Sequence, residues 1–277
     1  MNPEQLYNGL DRDLDGIITE AEKEIERIHN AMENEVLDEV GRYYRKHGEL
    51  TPETMRVYDR EDKLKKALAA IITAGMASSR SSIYASLRTS YRTGFNATRD
   101  GIEEMVGNTV RGKAQTERVR ELIQTRVSGI PLSERIHRNR REAIYQIQQT
   151  LGRGVNEGKT YKTMAEDLAG RLDITKGQAK GIVATETHRI IEEAKFDAVE
   201  HAINQGIEHK KYWRNARDER VRKDHRTLGN KYPKNKPIDA TEPFIAPDGS
   251  RALKPGGFGV AAQDIRCRCI AIYLPIP

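Results

Sequence analysis

Apolar residues recur at helical spacing through about the first two hundred residues of this chain. From Ile18 to about Lys46, Ala21, Ile25, Ile28, Met32, Val36, Val40 and Tyr43 fall on one face of a 3.6-residue helix. His47-Gly48 ends that helix, and Thr51-Pro52 starts another by a cap followed by proline in the first turn. Met55 to Val106 stays helical in pattern but carries Ala67, Ala69, Ala70, Ala74, Gly75 and Ala77. On such a small-residue surface a second helix, or another subunit, can approach closely. The run Ser78-Ser79-Arg80-Ser81-Ser82 is expected to interrupt the helix, because serines compete for backbone hydrogen bonds. Tyr84 and Tyr91 follow with Arg88 and Arg92; core packing is preferred for the tyrosines over nucleic-acid stacking.

Gly107 to Lys113 breaks the pattern as a linker, Gln115 to Val127 is a short helix, and Gly129-Ile130-Pro131 is a second break. Ser133 caps a helix to about Leu151, ended by Gly152 and Gly154; its Arg135, His137, Arg138, Arg140 and Arg141 read as a solvated face. Tyr161 to Leu172 is another helix, and Thr175 caps a long one through Ala202, closed by Gly206. After Gly206 the pattern changes to strands and turns. Residues 209–215 alternate as a strand, and Arg217 to Leu228 reads as a short helix closed by Gly229. Asp218, Val221, Arg222 and His225 would share one face of it. Pro247-Asp248-Gly249-Ser250 marks a hairpin, and Ile265 to Leu274 a closing strand. The expected fold is mainly α with a small C-terminal α+β domain. Its divisions are 1–110 and 111–205, both helical, and 206–277.

At the N-terminus, Asn2 and Pro3 start a helix to about Leu10. The next twelve residues, Asp11 to Glu22, fit the EF-hand loop, with Asp11, Asp13 and Asp15 alternating, Gly16 at the bend, the Ile17 carbonyl and a bidentate Glu22 as calcium ligands. The competing reading is an acidic helix start.

Charge adds a partner. The net charge is +6, and Lys210, Lys211, Arg214, Arg217, Arg220, Arg222, Lys223 and Arg226 crowd into one short stretch. That density predicts a phosphate-contacting surface, hence sequence-independent, salt-sensitive binding of double-stranded DNA. A mean hydropathy of -0.74 suits amphipathic helices with wide solvated faces. No apolar run is long enough to span a membrane, and the first residues lack the pattern of a signal peptide, so a reducing cytoplasm is the expected site of synthesis.

There the two cysteines, Cys267 and Cys269, are expected as thiols or metal ligands rather than a disulfide. Two apart on a strand, they point to one face, and His225 beside them would complete a zinc-like set of two thiolates and an imidazole. Asp218, Asp224 or water would supply the fourth ligand. The alternative, preferred because no complete four-ligand pattern is present, is two small buried hydrophobes with His225 bonded to Asp218. No catalytic residue is assigned, since the terminal domain has neither a Gly-rich phosphate loop nor a nucleophile elbow.

The ordered set Trp213-x4-Asp218-x-Arg220-Val221-Arg222-x2-His225-x3-Gly229, closing on Ile265-Arg266-Cys267-Arg268-Cys269, resembles the Mu F-like minor head proteins of tailed bacteriophages, the head morphogenesis family. The resemblance runs from about Ser128 to the end. Ala184-Thr185-Glu186-Thr187, with Ala194 and Ala198, looks like the family's Thr-Glu helix, and Glu186 there is read as making a structural bond. Trp213, Asp218 and Gly229 are read as structural, and the resemblance implies a structural role for the family. It also implies a virion protein of the capsid interior near the portal vertex, with the portal protein and the major capsid or scaffolding protein as partners, serving assembly and DNA packaging or ejection. The calcium loop is no part of it. A metal-dependent nuclease or other hydrolase using Asp218, His225, Cys267 and Cys269 is the alternative, and a DNA-binding module unrelated to phage a third reading.

Overall fold

The computed structural model describes residues 2–127, 129–216 and 218–276. Its helices are α1 (Pro3–His47), α2 (Pro52–Arg56), α3 (Arg60–Val106), α4 (Thr116–Gln124), α5 (Leu132–Asn156), α6 (Tyr161–Ile203), α7 (Lys223–Lys231) and α8 (Ala261–Asp264). The strands are β1 (His209–Arg214), β2 (Ile238–Asp239), β3 (Phe244–Ile245), β4 (Arg251–Ala252) and β5 (Ile270–Pro275). Long helices followed by a small strand-containing end are as expected.

Four helices run through expected breaks. Helix α1 is continuous across 11–22, because Leu6, Leu10 and Leu14 carry the same buried stripe into Ala21, Ile25 and Ile28. Ser78, Ser79 and Ser81 do not interrupt α3: each hydroxyl donates to the carbonyl four residues back, satisfying itself within the helix. Thr175 likewise bonds to the Arg171 carbonyl inside α6 instead of capping a new helix. Gly152 and Gly154 lie inside α5; a Cβ on Gly154 would fall 2.3 Å from Met164 Cε, so glycine serves close packing there. Gly206 does end α6, at φ +87, with its own N–H and that of Ile207 donating to Ile203 and Ala202.

The chain forms two compact units, whose boundaries differ from the expected three-part division. One comprises 21–84 and 133–182. Its core is drawn from five helices, with Met32, Val36 and Val40 of α1, Met55 of α2, Leu64, Leu68 and Ile72 of α3, Ile147 and Leu151 of α5, and Leu168 and Leu172 of α6. The small-residue stripe of α3 takes part: a Cβ on Gly75 would meet Met32 Sδ at 2.7 Å.

The other unit comprises 1–20, 85–132 and 183–277. Strands β2, β1 and β5 form its antiparallel sheet in that order, with Trp213 opposite Ala271. Strands β3 and β4 make the expected hairpin, Phe244 opposite Ala252. The sheet shares one core with Leu6, Tyr7 and Leu10 of α1, Ile102 of α3, and Phe196, Val199 and Ala202 of α6. Residues 206–277 therefore bury their apolar face on earlier helices of the same unit. Strand β5 is an edge strand of that sheet, and α6 covers it.

Candidate functional site

The densest chemistry lies where α7, α8 and the segment before β5 meet. Helix α7 starts at Lys223, with Arg222 as its N-cap, so Asp218 and Val221 precede it and share no helical face with His225. One helical turn in, His225 is buried with the Trp213 ring edge-on at 5.5 Å. Trp213 also packs on Phe244 and Phe258, a structural place in the core. Gly229 sits inside α7, where a Cβ would meet Asn215 Nδ2 at 2.9 Å; it permits a close approach and does not close the helix.

Cys267 and Cys269 precede the ladder instead of lying in it. Arg266 takes φ 52, a left-handed conformation uncommon for a side chain larger than glycine's, and the Cys267 N–H donates to the Asp264 carbonyl. The Asp264 carboxylate, its pKa raised by burial, accepts the N–H groups of Phe258 and Gly259 and so holds the preceding loop. This turn supplies the bend that an extended Cys-x-Cys lacks. The Sγ atoms of Cys267 and Cys269 lie 3.7 and 3.3 Å from His225 Nδ1, and the three atoms all fall within 4.8 Å of one another. The thiol of Cys267 is pushed up, first by its bond to Cys269 and then by burial.

His225 is not bonded to Asp218. Its Nε2 lies 3.0 Å from Gln263 Oε1, and Gln263 Nε2 donates to Asp224 at 2.9 Å and Asp248 at 3.0 Å. Asp218 instead accepts two bonds from Arg268, at 2.6 and 2.8 Å, and that guanidinium holds its pKa down at about 2. The four residues of the nuclease alternative are thus not brought together: three converge and Asp218 stands apart in an ion pair.

Helix α6 braces this segment with three side chains spaced by three and four residues. Thr185 Oγ1 accepts the Arg266 N–H at 3.1 Å, His188 Nε2 bonds the Cys269 carbonyl at 2.8 Å, and Glu192 accepts the Ala271 N–H at 3.0 Å. Beside them Glu186, fully buried, pairs with Arg189 at 2.8 Å, the structural bond expected of it, within its own helix. Leaving such a charge buried without its partner costs about 3–5 kcal/mol. Sequence reasoning missed Gln263, His188 and Glu192. The 185-188-192 spacing on a helix was the one visible signal; a glutamine in a turn gave none.

The basic stretch is thinner than its sequence promised. Lys211 is buried, donating to the Ala240 and Leu253 carbonyls at 2.7 and 2.6 Å, and burial with Lys254 nearby pulls its pKa down to about 7. Alternation on β1 puts Lys210 outward and Lys211 inward. Arg214 bridges Asn8 and Asp11 of α1, and Arg222 donates to the Gln263 and Ile265 carbonyls. Arg226 is exposed, with one N–H on the Glu219 carbonyl. Lys210, Arg220 and Lys223 stay at the surface, Arg220 within 3.6 Å of Asp218. Arg217 lies outside the described residues.

The calcium loop is corrected as well. Asp11, Asp13, Asp15, Ile17 and Glu22 lie on the continuous α1, where residues two apart point to different sides and the Ile17 carbonyl belongs to the helix ladder. Asp11 is taken by Arg214. These five ligands cannot wrap one ion from a helix.

Residues 145–272, from within α5 to β5, match the family described as Phage Mu protein F like protein. Over that segment the chain is similar to the Mu F-like minor head proteins. Over 98% of its length it is 26% identical to the minor head protein GP7 of Bacillus phage SPP1, a match that takes in 87% of that protein. It is also 30% identical over 154 residues to the NAD(+)–arginine ADP-ribosyltransferase EFV of Enterococcus faecalis (strain ATCC 700802 / V583), covering 56% of this chain and 30% of that protein. No solved structure matches it.

Proposed function

We propose that this minor head protein works as a structural component of the capsid interior at the portal vertex, contacting the portal protein and the packaged DNA during head assembly and DNA passage. The observation that supports this best is the similarity to the SPP1 minor head protein along nearly the whole chain, helices included. A site buried under Trp213, with its polar atoms bonded to backbone and to one another, serves as a brace and not as a place for substrate. The role is therefore non-enzymatic. The ADP-ribosyltransferase similarity takes in less than a third of that protein, and its named activity forms no part of the proposal. Among the described residues no helix is long and apolar enough to cross a membrane.

The full chain, tagged and mixed with the portal protein of the same phage, is expected to be retained with it in a stable complex through gel filtration. Retention by the major capsid or scaffolding protein with none by the portal would move the protein away from the vertex and overturn the placement.

A further inference from the structure

The cluster of His225, Cys267 and Cys269 is organised for something that two buried thiols and a bonded histidine do not need. The network decides which ring nitrogen carries the proton. Gln263 directs its amide nitrogen at two carboxylate oxygens, of Asp224 and Asp248. Carboxylates only accept, so both amide hydrogens are spent there and the amide oxygen must be the atom facing His225. An oxygen accepts, so His225 Nε2 bears the hydrogen and donates it at 3.0 Å. Nδ1 is then an unprotonated lone pair, aimed at Cys267 Sγ and Cys269 Sγ at 3.7 and 3.3 Å.

One lone pair accepts one S–H, yet two sulfurs converge on it. Around a tetrahedral zinc, bond lengths of about 2.3 Å to sulfur and 2.0 Å to nitrogen put sulfur and nitrogen about 3.5 Å apart. The two distances straddle that value. The remote Nε2–H held by an oxygen acceptor that is itself anchored is the arrangement that orients metal-ligating histidines. The Cys269 N–H adds a donor to Cys267 Sγ at 3.4 Å.

We infer that His225 Nδ1, Cys267 Sγ and Cys269 Sγ bind one thiophilic divalent cation, zinc, as a structural centre oriented by Gln263. Among the described residues no fourth His, Cys, Asp or Glu joins the three, so a water completes the tetrahedron. All three ligands are buried, which keeps substrates away and makes the ion a clamp. It ties α7 to the turn before β5 and, through the His188 bond to the Cys269 carbonyl, to α6. The inference stands apart from the placement at the portal: a zinc clamp holds the same fold wherever the protein docks.

The full chain, purified under reducing conditions without chelator, is expected to keep about one equivalent of zinc through dialysis. Exchange for Co(II) should give the intense visible bands of a tetrahedral site together with thiolate charge transfer. Cys269→Ser should lose both. Gln263→Leu keeps all three ligands, and its zinc affinity should fall about 10–100-fold, the loss seen when such orienting partners are removed. Should these variants fail to fold, the wild type still decides: chelation should lower its melting temperature and zinc restore it. A wild type with native helical circular dichroism that holds no zinc and shows no cobalt–thiolate band would overturn the assignment, as would zinc retained in a Cys267→Ser, Cys269→Ser double variant.

Discussion

His29 shows what one buried ring does to stability. It is 2% exposed, neither ring nitrogen has a hydrogen-bond partner among the described residues, and its pKa falls to about 4, by burial first and by the charge of Lys176 on α6 second. The folded value lies below the ordinary one of about 6.5, so on acidification the unfolded chain takes the proton first. Stability from this group is complete above about pH 6.5 and is lost as pH falls toward 4. Urea unfolding should show the wild type on the order of 1–2 kcal/mol less stable at pH 5 than at pH 7 through this residue. His29→Leu should flatten that part of the profile; an unchanged slope would mean the ring is already satisfied. Nothing in the local sequence marks this histidine, since it sits one residue beyond Ile28 in an ordinary amphipathic repeat.

Among elements, α1 is the sharpest test, because motif and helix disagree over the same twelve residues. In an ion-binding loop Gly16 turns the chain sharply, whereas in α1 it is exposed, has no positive φ, and a Cβ there meets nothing within 4 Å. Gly16→Ala should therefore stabilise the chain by about 0.5–1 kcal/mol, read as a higher unfolding midpoint without added calcium. A lower midpoint would restore the loop. The serines of α3 teach the same point: their hydroxyls bond back into the helix, so a residue type that often ends helices is carried along once both flanks are buried. Propensity is a weak prior against packing on either side.

For the whole molecule, the question is which cations face solvent, where the proposed DNA contact would form. Charge reversal at Lys210, Arg220 and Lys223, three surface positions, should weaken binding to duplexes of any sequence and reduce the salt slope by about 0.9 for each phosphate contact removed. Unaltered affinity at every salt concentration would remove the terminal stretch from the DNA-facing surface. Lys211→Glu belongs to a different experiment. It puts a carboxylate where an ammonium meets two carbonyls and two aromatic rings, so it should unfold the unit, and lost DNA binding there would say nothing about the surface.

The sequence by itself determined what is local. A 3.6-residue apolar repeat makes a helix wherever it runs, so the long helices, the stop at Gly206, the β3–β4 hairpin and the strand around Tyr212 were all legible. The pairing of Cys267 and Cys269 with His225 was legible too, from residue chemistry and a spacing of two. Tertiary structure decided the rest, because each answer depends on a partner far along the chain. Leu6 and Leu10 bury on the terminal sheet's core, and buried Leu14 continues their stripe, carrying α1 through an acidic stretch that reads as a loop on its own. Arg214 meets Asp11 across about two hundred residues and leaves the basic surface. Gln263, silent in the sequence, sets the His225 tautomer only because folding brings Asp224 and Asp248 to its amide, and a hydrogen bond has no direction until both of its ends are in place.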